Sequence, residues 1–149
     1  MAGTVAIGIQ QFNEIRKKGY FYIDKTAFIR EWWEKGDSVT LITRPRRFGK
    51  TLTMSMVEQF FSVKYAGQQN LFEGLAIWET KAYREIQGTY PVISLSFANL
   101  KEPSYELTRQ KVCDQLQQLY TEHAYIWESG ILKGADKSFF ERMLHNEKV

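Results

Sequence analysis

Apolar residues recur at helical spacing in several separate stretches of the 149-residue chain. After residue 51 they stand at Leu52, Met56, Val57, Phe60 and Phe61, a spacing that places them on one face of a helix. Similar patterns, glycine stops and capping residues predict helices in other parts of the chain. The predicted helices cover residues 10–18, 25–34, 52–63 and about 104–125, with a last one that begins at Ser138.

Two other stretches are rich in β-branched and aromatic residues and are short, which is typical of strands. They are Val39–Thr43 and Val92–Phe97. The first runs into a basic loop and then into the helix that includes Leu52. This order predicts an α/β fold with few parallel strands flanked by helices. Direct pairing of the two strands would require a right-handed crossover between them.

The basic loop carries the clearest candidate chemistry. Gly49-Lys50-Thr51 opens a helix after a predicted strand and the basic loop. This is the layout of a phosphate-binding loop, in which backbone N–H groups and a helix N-terminus bind the anion. Lys50 would reach the β- and γ-phosphates, the Thr51 hydroxyl would bind Mg²⁺, and Gly49 would let the backbone approach the anion. The predicted phosphate-binding residues are Arg46, Arg47, Phe48, Gly49, Lys50, Thr51 and Leu52.

Arg44 stands where the usual phosphate loop, Gly-x-x-x-x-Gly-Lys-[Ser/Thr], has its first glycine. This departure leaves a second interpretation open, in which residues 44–51 form a basic surface turn. Arg46 and Arg47 share the ambiguity. Their planar, permanently charged side chains either bind phosphate or form a solvated basic tip.

The segment Arg44–Leu52 resembles the phosphate loop of the AAA-ATPase-like family, whose own Walker A variant reads Arg-Pro-Arg-Arg-Phe-Gly-Lys-Thr. Four other stretches resemble that family's N-terminal sequence in the same order, and the similarity covers nearly the whole chain. They are Gly8–Phe12, Tyr22–Thr26, Leu71–Leu75 and Tyr90–Phe97. The absent first glycine is therefore expected as a trait of the family.

The resemblance implies that residues 1–149 form part of a P-loop NTPase domain of the AAA and ASCE type. In complete members of that class, strands from later in the chain lie between the two strands predicted here. Those strands would then have exposed edges. In complete members the acidic Walker B strand and usually a nuclease-like domain follow downstream. We therefore expect the N-terminal part of a family member, or a short standalone relative. Its partner would be the remainder of the ATPase or a homologous chain. The resemblance also allows Tyr22, Asp24 and Lys25 a position near the nucleotide base.

Asp24 ends a short apolar segment and has two interpretations. It is either a Walker B acid that holds Mg²⁺ or a cap of the helix over residues 25–34. Its position upstream of the loop favours the cap. The predicted strand after the loop ends in Ala98-Asn99, so no acidic residue stands at its end. Because hydrolysis needs such an acid to hold Mg²⁺, we expect nucleotide binding with little or no turnover.

Composition narrows the class of protein. Hydrophobic content of 44% and aromatic content of 15% indicate a globular chain. Its one cysteine, Cys113, cannot form an internal disulfide and suits a reducing compartment. The N-terminus lacks a signal pattern, and no apolar run approaches the length of a membrane span. We therefore expect a cytoplasmic protein without a membrane partner.

Two functions of different classes fit these observations. One is binding of ATP or GTP with Mg²⁺ through the variant phosphate loop. The other is an interaction or nucleic-acid-contacting domain, in which Arg44, Arg46 and Arg47 meet the phosphates of a polymer. The net charge of +3 is too small to indicate nucleic acid by itself.

Overall fold

The computed structural model describes residues 8–45, 48–98 and 100–145. The chain divides into two compact units, with the boundary between Val92 and Ile93. The α-helices of the first unit are α1 (Phe12–Lys17), α2 (Ala27–Lys35), α3 (Lys50–Phe61) and α4 (Lys81–Ile86). Its 3-10 helices are Val63–Tyr65, Gln69–Leu71 and Ala76–Glu79. The second unit contains α5 (Tyr105–Glu122), α6 (Ala124–Glu128) and α7 (Gly134–Leu144).

The predicted α/β fold with parallel strands was wrong. Across the described ranges the structure is helical, with 57% helix and no sheet. Its β-type pairing is an isolated parallel bridge between Ser62 and Tyr90. Neither Val39–Thr43 nor Val92–Phe97 forms a strand, so direct pairing of the two is wrong as well.

The two segments do not form strands because a strand needs hydrogen-bonding neighbours as well as residues that favour an extended backbone. β-Branched residues favour an extended backbone, but a strand is stable only when a neighbour satisfies its N–H and C=O groups. In the described part of the chain neither segment pairs with a strand, although the Ser96 carbonyl of the second accepts a hydrogen bond from the Gln115 side chain. Val39 and Leu41 are 88% and 83% exposed, and Ile93 is 75% exposed.

Helical periodicity predicted the helices better. The predicted helices over residues 25–34 and 52–63 correspond to α2 and α3, which span 27–35 and 50–61. Ser104 is the N-cap of α5, where its hydroxyl accepts a hydrogen bond from the Leu107 N–H at 3.3 Å. The predicted start of the last helix at Ser138 was wrong, because α7 already begins at Gly134 and continues through that serine.

The first unit is built around a cluster of aromatic rings. Phe12, Phe60 and Phe72 are fully buried. The Phe72 ring stacks on Phe12 and meets Phe60 edge-on, with centroids 5.1 Å apart in each pair. Ile29 of α2 and Met56 of α3 belong to the same core. Full burial of side chains of this size stabilises the fold by about 1.5–3 kcal/mol each.

Polar contacts fix α1 beside α3. The Phe12 N–H donates to the buried Ser55 hydroxyl at 3.1 Å. The Arg16 guanidinium donates to the carbonyls of Leu71 and Glu73 at 2.7 and 2.6 Å. These bonds join α1 to α3 and to the segment that includes the 3-10 helix Gln69–Leu71, and so help to hold α3 in its position.

The second unit has a shallower core. Tyr120 of α5 meets Phe140 of α7 edge-on, with centroids 4.8 Å apart. Phe140 is buried, whereas no residue of α5 is. None of the helices in the described ranges is long and apolar enough to cross a membrane.

Candidate phosphate-binding site

The amino end of α3 has the geometry of an anion site. Gly49 is its N-cap and has a left-handed backbone with φ of 76°, which glycine adopts without steric cost. The Gly49 carbonyl accepts from the Thr53 N–H at 2.8 Å, so the helix is regular from its first turn. Because the N-cap is a glycine, it has no side chain to cap this end, and none of the described residues caps it. The first amides of the helix therefore point outward, where the helix dipole favours negative charge.

A cavity of about 520 Å³ opens beside this helix end, a size typical of ligand pockets. Three cationic side chains line it together with one carboxylate, a threonine and an apolar wall. The lining residues among those described are Lys25, Ala27, Phe28, Glu31, Ile42, Arg44, Phe48, Lys50 and Thr53. The cavity thus combines surplus positive charge with an apolar surface.

The structure brings part of the predicted loop to this cavity. Phe48 and Lys50 line it, and Gly49 lies between them. Leu52 instead packs its side chain against the core. Thr51 is exposed and is not among the lining residues, whereas Thr53 is. The predicted ligands Arg46 and Arg47 lie outside the described residues.

Tyr22 faces the core and has an internal partner. Its hydroxyl donates to the Met56 sulfur at 3.1 Å, and its ring meets Phe12 edge-on. Burial raises the pKa of the Tyr22 hydroxyl to about 12. In this structure Tyr22 serves packing between α3 and the segment before α2.

Asp24 uses both carboxylate oxygens within the protein. Oδ1 accepts from the N–H and hydroxyl of Thr26 at 2.8 and 2.6 Å, and Oδ2 accepts from the Ala76 N–H at 2.8 Å. Burial raises the pKa of Asp24, but these hydrogen bonds and the Arg16 charge outweigh burial and hold the pKa below its ordinary value. Asp24 therefore forms a turn with Thr26, and Thr26 is the N-cap of α2, so the expectation that Asp24 itself caps this helix was wrong.

Lys25 extends to the loop. Its Nζ donates to the Phe48 carbonyl at 3.4 Å, and it lines the cavity beside Lys50. Of the three residues expected near a base, it is the one whose side chain faces the cavity.

A family model described as "Predicted AAA-ATPase" matches residues 6–147. The chain belongs to the AAA-ATPase-like family. This AAA-ATPase-like chain is also 38% identical over 92 residues to the "Uncharacterized protein in vnfD 5'region" of Azotobacter chroococcum mcd 1. The match covers 61% of the chain and 16% of that relative, so the chain spans a small part of the relative's length. No solved structure matches it.

Sequence reasoning missed much of the AAA-ATPase-like chain's cavity wall. Ala27, Phe28 and Glu31 come from α2, which the sequence predicted as a helix without a role in the site. Residues three and four apart on a helix share a face, so the spacing from Ala27 and Phe28 to Glu31 was the available signal. Ile42 had been placed in a strand.

Proposed function

We propose that this chain binds a nucleoside triphosphate, ATP or GTP, together with Mg²⁺. The phosphates lie at the amino end of α3, and the base lies against the apolar wall of the cavity. Membership in a family described as predicted AAA-ATPase supports an ATPase-related role. The observation that carries the proposal is the cavity beside the uncapped start of α3.

Lys50 is the principal phosphate ligand in this proposal. It is the first residue of α3, and it lines the cavity. Its ammonium group and the helix dipole therefore act on the same anion. Arg44 adds a second positive charge to the lining, and Arg46 and Arg47 are proposed to add phosphate contacts from the same loop.

The apolar wall suits a nucleoside. Phe28 and Ile42 offer surface for a flat ring, and Glu31 is the carboxylate among the described lining residues. A carboxylate accepts hydrogen bonds from N–H groups, which adenine offers through its exocyclic amine and guanine through its exocyclic amine and ring N1–H. Thr51 is proposed to bind Mg²⁺ once the nucleotide brings the metal.

We propose that this chain alone turns nucleotide over slowly or not at all. Both Asp24 oxygens accept hydrogen bonds from within the protein, which argues against a metal-site role. The acid that holds Mg²⁺ would come from the remainder of the ATPase or from a homologous chain. Phosphate release should lie far below the roughly 1–100 s⁻¹ of typical kinases. Fast release by the purified chain, lost in Lys50→Ala, would contradict this.

Calorimetric titration of MgATP and MgGTP tests the binding proposal. Lys50→Ala should weaken affinity about ten- to hundredfold, the value of a charge-assisted hydrogen bond. Lys17→Ala removes the same charge from exposed α1, away from the cavity lining, and should leave affinity unchanged. Equal affinity in Lys50→Ala and wild type would overturn the proposal.

The same titrations separate nucleotide binding from contact with a nucleic acid. Short oligonucleotides that bind with steep salt dependence, while free nucleotides do not bind, would favour a polymer-contacting domain. Nucleotide binding should instead raise the melting temperature, and the rise should grow with the logarithm of the free nucleotide concentration once that concentration exceeds Kd.

A further inference from the structure

A lysine from outside the loop sits at the start of α3. Lys25 precedes α2 by two residues, yet its Nζ donates to the carbonyl of Phe48, 23 positions further along the chain. The distance of 3.4 Å makes this a long hydrogen bond. A lysine ammonium has three N–H donors, so this bond leaves donor capacity for an anion.

A second distance places the same ammonium beside the N-cap residue of α3. A Cβ built on Gly49 would lie 3.2 Å from Lys25 Nζ. Gly49 is the residue whose conformation turns the chain into α3. The Lys25 charge therefore lies beside the residue at which α3 begins, next in sequence to Lys50.

The backbone on both sides of Lys25 is fixed. Asp24 binds the Ala76 N–H through its carboxylate, and the Thr26 hydroxyl accepts from the Ile77 N–H at 3.1 Å. These bonds join the segment to the 3-10 helix Ala76–Glu79. The Lys25 side chain is thus directed from an anchored segment, which lowers the entropy cost of a contact with a ligand.

Opposite charges lie at the two ends of this wall of the cavity. Lys25 comes before the first turn of α2, and Glu31 follows one turn into the helix. Phe28 lies between them in the chain. A triphosphate is favoured at the lysine end and disfavoured beside the carboxylate.

We propose that Lys25 is a second phosphate ligand, delivered to the α3 N-terminus from a separate segment, and not a residue beside the base. This rests on the proposed nucleotide binding. Lys25 and Lys50 then hold the polyphosphate between them, and the Asp24 hydrogen bonds position Lys25.

Inorganic tripolyphosphate is the decisive probe, because it has the phosphates of the ligand without base or ribose. Calorimetric titrations of ATP, tripolyphosphate and adenosine, with Mg²⁺ present, compare wild type with Lys25→Met, which keeps length and removes charge. We expect Lys25→Met to weaken ATP and tripolyphosphate by the same factor, about tenfold for one charge-assisted contact. Adenosine binding should not change, and Lys17→Met should match wild type.

Each alternative result has a distinct meaning. A loss of ATP and adenosine affinity with tripolyphosphate unchanged would place Lys25 at the base and overturn the inference. Wild-type affinities throughout in Lys25→Met, with Lys50→Ala still weakened, would overturn it while leaving the proposed function standing. Absence of ATP and tripolyphosphate binding by wild type would overturn both. Lys25→Arg keeps the charge and should retain most of the affinity for tripolyphosphate.

Discussion

The Asp24 carboxylate accepts a hydrogen bond from the Ala76 N–H at 2.8 Å, across 52 positions of sequence. The bond joins the segment before α2 to the 3-10 helix Ala76–Glu79. Beside it, the Thr26 hydroxyl makes the equivalent contact to Ile77. This pair of bonds sets the direction in which Lys25 leaves the backbone.

Removing the Asp24 carboxylate should destabilise the fold. We expect Asp24→Ala to lower the free energy of unfolding by about 1–2 kcal/mol, because two backbone N–H groups lose a charged acceptor that is partly solvated. Asp24→Asn keeps one acceptor oxygen and should lose less. Denaturant unfolding of the three proteins measures both effects. Equal stability of Asp24→Ala and wild type would show that water replaces the carboxylate at no cost.

The lowered pKa of Asp24 predicts how stability depends on pH. The folded state holds the carboxylate ionised, through Thr26, Ala76 and the Arg16 charge, more strongly than the unfolded chain does. Its contribution is therefore fully present above the unfolded pKa of about 3.9 and is lost as pH falls through the lower folded value. The stability difference between wild type and Asp24→Asn should shrink as pH falls from about 5 towards 2. A difference that stays constant over that range would contradict the assignment.

Tyr22 should make the opposite contribution at alkaline pH. Burial raises its pKa to about 12, so the folded state holds the proton more tightly than the unfolded chain. The stability that this provides is present below the unfolded pKa of about 10 and is lost as pH rises through 12. Tyr22→Phe, which keeps the ring against Phe12, should therefore lose less stability than wild type between these values. Parallel losses in the two proteins would exclude Tyr22 as the cause.

Two leucines provide a matched test of where the core lies. Leu71 is 1% exposed and Leu41 is 83% exposed. Leu71→Ala should cost about 2–5 kcal/mol, because it leaves a cavity beside Phe72. Leu41→Ala should change stability by less than about 0.5 kcal/mol. Urea midpoints of the two variants make the comparison, and a large loss in Leu41→Ala would indicate a contact that covers this segment in solution.

Alanine substitutions at two glycines distinguish the effect of backbone strain from the effect of a new side chain in the proposed site. Gly49 and Gly36 have φ of 76° and 66°, so alanine at either position should cost about 1–2 kcal/mol. Only at Gly49 would the new Cβ meet another group, Lys25 Nζ, whereas at Gly36 nothing lies within 4 Å. Gly49→Ala should therefore weaken nucleotide affinity, and Gly36→Ala should not. Similar affinity in both variants would separate Gly49 from the proposed site.

The sequence predicted α1, α2, α3 and α5 because each carries its own signal, whereas α4 and α6 were not predicted and α7 begins four residues before Ser138. In α3, apolar residues from Leu52 to Phe61 repeat at helical spacing, and the helix begins at Lys50 as the glycine before it suggests. The sheet could not be inferred in this way. Val39–Thr43 has strand propensity, but pairing depends on a neighbour that local sequence does not specify.

The candidate site was predictable only in part for the same reason. The loop residues Gly49 and Lys50 are adjacent in sequence and form a recognisable pattern. Phe28, Glu31 and Ile42 reach the cavity through tertiary packing, which local sequence does not specify. Lys25 could be suspected from resemblance, but its contact with Phe48 required coordinates.

The long-range bonds of the first unit also set an order of events during synthesis. The hydrogen bond from the Phe12 N–H can form only after Ser55, 43 positions later, has been synthesised. The bond from Arg16 likewise requires Glu73, 57 positions later. At about 5–20 residues per second, α1 leaves the ribosome several seconds before its partners exist. The second unit has a hydrogen bond between residues that are nearer in sequence: the Gln115 side-chain amide donates to the Ser96 carbonyl, 19 positions earlier. Until those partners are made, the apolar face of α1, Phe12 and Ile15, has none of its later neighbours to cover it.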